Sequence, residues 1–207
     1  MRVAAPLHLG EEAVRLAIVS RLGWIQRQRR GFARQERQSQ REMVTGESHF
    51  FQGRRYRLDV VETSGRAHIA VVNNTTLRLR IPPGADSQKR RALLERWYRR
   101  NLRERLPALV EQWEPVVGVS VSEARIKRMK TRWGSCNIEA RRIWLNLELI
   151  KKPPVCLEYI LVHEMVHLLE RRHTDRFSAL MSRFLPDWRL RRDELNRWPL
   201  AYEGWGY

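Results

Sequence analysis

Hydrophobic positions along this chain switch several times between a helical and an alternating period. Between residues 11 and 42, Ala13, Leu16, Ala17, Val19, Gly23, Trp24 and Phe32 form a helical stripe in a background of arginine and glutamine. From residue 50 the period shortens. FFQGRRYRLDVVE, AHIAVVNN and TLRLRIPP alternate or cluster β-branched residues, with SGR and NN as turn signals, and predict two or three antiparallel strands. Asp86 to Trp113 returns to helical spacing, with Leu93, Leu94, Trp97, Leu102, Leu106, Leu109 and Trp113 on one face. Asp86 or Ser87 is its N-cap, and Pro115 and Gly118 punctuate its end.

In the second half, GVSVSEARIKRMKTRWGSCN and ARRIWLNLELI predict two strands around a turned connection. Pro153 and Pro154 open VCLEYILVHEMVHLLERR, a strongly apolar helix. Thr174 caps a further helix, DRFSALMSRFL; Pro186 breaks it, and DWRLRRDELNRW makes a last short one. The pattern predicts an α+β chain with an N-terminal helix and β-strand region, 1–85, and a core region, 86–207.

Composition narrows the class. The 207 residues suit one domain with an extension, and 43% hydrophobic with 30% charged residues marks a soluble globular chain. The formal net charge of +17 favours polyanionic partners, such as nucleic acid, nucleotides or acidic peptides. Two cysteines make no disulfide framework, no run approaches a membrane span, and the start lacks a signal-peptide layout, so a cytoplasmic location is expected.

The candidate chemistry lies in HEMVHLLERRH, His163 to His173. His163 and His167 are four residues apart on the expected helix. Four residues turn ~400° and rise ~6 Å, so both imidazoles share one face and can bind one tetrahedral zinc. Glu164 then stands beside the ligand pair as a general base that takes a proton from an attacking water. A zinc site needs a third protein ligand and an open fourth position. On an unbroken helix His173 would lie ~15 Å further along and ~80° off the face, so the chain must turn between Leu169 and His173. Metzincins share this histidine spacing but carry glycine where this chain has Glu170. His173 is the favoured third ligand; Glu194 is the alternative. Glu170 is then a support of the ligands or simply solvated.

The segments RMKTRWGSCN, RRIWLNLELI and LEYILVHEMVHLLERRHTDRF resemble the YgjP-like metallopeptidase family, a relative of the SprT-like proteases and minigluzincins. The resemblance implies a zincin-like α+β core, with the HExxH helix packed on a small antiparallel sheet. It implies one zinc ion held by His163, His167 and His173, with Glu164 as general base. It also brings two other activities into view: a nucleoside triphosphate (UTP) pyrophosphatase on the same site, and a DNA-associated protease in the manner of SprT.

Substrate contacts follow from zincin architecture, where an extended peptide adds to an edge strand above the active-site helix. IWLNLEL is the expected edge, with Asn146 reaching a neighbouring loop or the substrate. Lys127, Arg128, Lys130 and Arg132 place four cations in six residues, suited to phosphates or an acidic peptide. Tyr159, Arg176 and Arg132 are candidates to steady an oxyanion. Trp133 and Trp144 are candidates to line the cleft, and Cys136 is expected to be a small packed residue. Arg27, Arg29, Arg30 and Arg34 would tether nucleic acid, with binding that weakens steeply in salt.

Overall fold

The structure is a computed structural model that describes residues 5–6, 9–23, 25–26 and 42–198. It divides into two compact units, residues 1–39 with 197–207, and residues 40–196. In the first, helix α1 spans Glu11–Val19, with Glu11 and Glu12 at its positive N-terminal end. The proposed tether arginines 27, 29, 30 and 34 lie outside the described residues.

The second unit begins with four strands, β1 (Ser48–Phe51), β2 (Arg54–Glu62), β3 (His68–Val71) and β4 (Thr76–Ile81), in the order β1-β2-β4-β3. The all-antiparallel expectation fails at one seam. β4 returns from its hairpin with β3 and slots beside β2, and that pair runs parallel. Leu77, Leu79 and Ile81 alternate inward and are buried, while Arg78 between them donates to Asp59 at 2.7 Å.

Helix α2 spans Ser87–Val117. The Asp86 carboxylate accepts the Lys89 N–H at 2.7 Å, so the expected cap is present. The helix continues through Pro115 and stops at Gly118, whose φ of 74° is the left-handed conformation that ends helices. Its Trp97 ring packs 4.5 Å from that of Phe51, and the Tyr98 hydroxyl donates to the Phe50 carbonyl at 2.7 Å. The first sheet and α2 therefore share one core, and the expected division at 85/86 runs through a single compact unit.

The next segment forms three strands instead of two: β5 (Glu123–Lys127), β6 (Gly134–Asn137) and β7 (Arg142–Asn146), ordered β5-β7-β6. As in the first sheet, the last strand inserts between its two predecessors. β7 is parallel to β5 and antiparallel to β6, so this small sheet is mixed. LELI, expected as strand, lies in a 3-10 turn, Leu147–Lys151, where the Asn146 side chain accepts the Glu148 N–H at 3.2 Å.

Helix α3 (Pro154–Val166) follows, then α4 (Asp175–Phe184) and α5 (Trp188–Arg197). Nine of the thirteen residues of α3 are buried, as its largely apolar composition requires. The β1–β2 turn seats its start: the Gln52 and Gly53 N–H groups donate to Ile150 and Lys151 carbonyls at 2.8 and 3.2 Å. Gly53 is needed there twice over. Its φ is +76°, and a Cβ would stand 3.0 Å from Pro153. The fold is α+β with a zincin-like core, its HExxH helix packed against β6 and β7. No helix among the described residues is long and apolar enough to cross a membrane.

Candidate active site

The α3 helix stops one residue before the second histidine of the motif. His167 keeps helical angles (φ −63°, ψ −19°), but the chain then turns, with Leu169 and Glu170 N–H groups both donating to Val166 O at 2.9 Å. The expected continuation to Arg172 does not occur. The turn is made without glycine and without a left-handed residue at Glu170. Glu170 supports it in two ways. Its carboxylate accepts the Arg172 N–H at 3.3 Å, and its carbonyl lies 3.1 Å from His167 Nδ1. Donation from Nδ1 to that carbonyl orients the ring and leaves Nε2 with its lone pair free.

The turn carries His173 back over α3. Its Nε2 lies 3.0 Å from His163 Nε2, and ligand atoms of His163, His167 and His173 all fall within 4.8 Å of one another. Phe177, 3% exposed, is the floor of this arrangement. Its ring centroid is 4.9, 4.7 and 4.7 Å from those of His163, His167 and His173. Sequence patterning gave no role to Phe177. The available signal was its place as the first apolar residue after the Thr174 cap, whose hydroxyl accepts the Phe177 N–H.

These residues fit a zinc ion. Two nitrogens bound to one tetrahedral ion at ~2.0–2.1 Å stand about 3.3 Å apart, close to the 3.0 Å between His163 and His173. Burial, with the two neighbouring histidines, holds the His163 pKa down to about 3, and burial lowers that of His167, so both are neutral donors. Among the described residues no fourth side chain joins the three, and Glu194 is not in the cluster. Its charge acts instead on Cys156, which is fully buried on α3.

Glu164 is buried, and desolvation pushes its pKa up to about 8 against the opposing charge of Arg132. It sits against strand β6. A Cβ on Gly134 would stand 2.5 Å from Glu164 Oε1 and 2.8 Å from its Cγ. The missing side chain of Gly134 is what lets the strand and the carboxylate approach. Gly134 is the first residue of β6, an edge strand of the small sheet.

A cavity of about 1140 Å³ opens above these groups, with Trp133, Gly134, Tyr159, Glu164 and the three histidines in its wall. The edge that borders it is β6; β7, expected in that role, is the central strand. Of the cation cluster, Arg132 alone reaches the cavity. Lys127 lies over the Trp144 ring at 6.0 Å, Arg128 pairs with Glu95 at 3.7 Å, and Lys130 is exposed away from it. Arg176 is exposed on the first turn of α4, outside the cavity wall. Asn146 is 0% exposed, which removes it as a substrate contact. Its amide donates to the Met129 and Arg132 carbonyls at 2.9 and 2.8 Å, so it pins the loop before β6. Trp144 lines a different groove, between α2 and β5. Cys136 does line the cavity, but burial and the nearby Glu164 charge push its pKa up to about 11, which keeps it a neutral thiol.

Fold and site together define a metallopeptidase-type hydrolase. Residues 1–198 match the model of the YgjP-like metallopeptidase domain, and the chain belongs to that family. Among solved structures, the metallopeptidase zymogen abylysin of Pyrococcus abyssi is similar over 43% of this chain and 90% of that one, at 20% identity and a TM-score of 0.40. No curated protein sequence matches the chain.

Proposed function

We propose that this protein is a zinc-dependent peptidase that hydrolyses peptide bonds in extended polypeptide segments. His163, His167 and His173 would hold the ion. When bound, it supplies Lewis acidity, which polarises a carbonyl oxygen and makes water a stronger acid. Glu164 takes the proton of the attacking water on its carboxylate and returns it to the leaving amine. Its burial suits both steps: a carboxylate with raised proton affinity is a better base, and once protonated a competent acid. Tyr159 lines the same wall one helical turn before His163, with burial holding its phenol protonated up to about 12. It is a better candidate to steady the carbonyl oxygen than Arg176, which is off the cavity.

The observation that carries this reading is the placement of Glu164 against the edge strand. An extended peptide added to β6 by main-chain hydrogen bonds brings its own carbonyls past the position where Glu164 meets Gly134. A nucleoside triphosphate would use none of that edge, and the dispersal of the Lys127–Arg132 cations favours the peptide over UTP. The deciding experiment is cleavage of an unfolded protein by the zinc-loaded chain. Cleavage should stop with chelator and return with zinc. It should be absent in Glu164→Gln while that variant still binds one zinc per chain. Cleavage unaffected by Glu164→Gln would remove the proposal.

A further inference from the structure

The cavity wall carries charge in a definite order along the edge strand. Arg132 lies two residues before Gly134, at the end of β6 that meets Glu164, and its charge lowers the proton affinity of that carboxyl. Arg171, on the turn to the third histidine, also lines the cavity. Glu139 stands at the opposite end, in the turn after Asn137. All three side chains are exposed, and none has an ion pair or side-chain hydrogen bond among the described residues. The remaining cavity arginine differs: Arg192 bonds to Asp193 at 3.3 Å and covers the Trp188 ring at 5.2 Å.

Unpaired charges in a concave wall act on what enters it more strongly than the same charges on a convex surface. Arg132 and Glu139 thus offer opposite preferences beyond the two ends of β6, two residues outside the four-residue strand on either side and seven positions apart along the chain. Antiparallel addition is the commoner and slightly more stable pairing. A peptide bound that way runs from Glu139 at its N-terminal part to Arg132 at its C-terminal part.

We propose that the cleft selects extended peptides by charge order, taking a basic residue first and an acidic residue about seven positions later, read by Glu139 and by Arg132. The inference rests on the peptidase reading above and adds the substrate class.

The test uses two isomeric labelled peptides, one with Lys first and Asp seven positions later and one with the two exchanged, with identical neutral spacers and flanks. Equal composition cancels the general attraction of a +17 chain. Binding is measured by fluorescence anisotropy on the zinc-loaded Glu164→Gln variant, so the result does not depend on turnover. The Lys-first isomer should bind about tenfold tighter, an advantage that shrinks with salt. The charge-swapped variant Arg132→Glu with Glu139→Lys should reverse the preference. Equal affinities, or preference for the Asp-first isomer, overturn the inference. If the parent chain then cleaves both isomers alike, the peptidase reading survives and this one alone falls. If UTP binds and neither peptide does, both fall together.

Discussion

Replacing Gly134 by alanine adds one methyl group where β6 meets Glu164. The backbone of Gly134 is not in the left-handed region, so alanine carries no conformational penalty and the effect is purely steric. The new carbon would stand 2.5, 2.8 and 2.9 Å from Oε1, Cγ and Cδ of Glu164. Carbon contacts settle near ~3.5–4.0 Å, so about 1 Å must be found. The strand is poorly placed to yield, because its Leu145 pairing and the Asn146 N–H bond to Trp133 O at 2.9 Å hold it on β7. The carboxylate moves instead. A shift of about 1 Å in a reacting group costs on the order of 10²-fold in rate. Kinetics on a peptide substrate should therefore show kcat reduced about a hundredfold with KM little changed. Elemental analysis should still find one zinc per chain, and thermal unfolding should show at most the ~1–3 kcal/mol of an overpacked core. Shortening the acid in the same background, Gly134→Ala with Glu164→Asp, removes the clashing methylene. The two losses should then be less than multiplicative. A kcat within twofold of the parent would refute the account, as would an activity loss matched by an equal loss of zinc.

Three further outcomes follow from other parts of the structure. Lys152 is 2% exposed, and burial lowers its pKa from 10.5 to about 8, so below that pH the folded chain holds a disfavoured proton at a cost of about 3 kcal/mol. The unfolded chain keeps its proton until higher pH, so this penalty fades as pH rises from about 8 to 10.5. Urea unfolding at pH 7.5 should find Lys152→Met more stable than the parent, with the gap narrowing by pH 10; a constant gap contradicts the assignment. Asn146→Ala removes the bonds to two half-buried carbonyls on the loop before β6, and should cost about 1–3 kcal/mol while speeding hydrogen exchange over residues 129–134. Zinc added to metal-free chain should raise Tm, by roughly the equivalent of 2.7 kcal/mol at a hundredfold excess over Kd. His173→Ala should lose most of that shift; retention of the full shift would remove His173 from the ligand set.

The residues that would hold the metal were legible because their geometry is local. The HExxH spacing and the helical period place His163, Glu164 and His167 without reference to any distant part of the chain. The caps at Asp86 and Thr174 were legible for the same reason: each is a side chain bonding its own backbone three residues on. The need for a bend before His173 also followed from helix geometry. What makes the bend did not, since Glu170 acts through a carbonyl and a carboxylate whose partners are set by the folded turn.

Strand order decided the rest. IWLNLEL alternates as a half-buried strand does, yet β7 is central because β5, some twenty residues earlier, takes its second edge. Alternation reports which faces of a strand are buried and says nothing of which neighbours it pairs with. The same long-range pairing carried Arg132 to the cavity and left Lys130 outside it, though the two are adjacent but one in sequence. It also set Gly134 against Glu164, thirty residues away. By itself the sequence determined the candidate pair His163 and His167 and the helix that spaces them. Only tertiary packing chose the strand, the cations and the glycine that surround them, because those contacts join segments whose separation along the chain carries no geometric information.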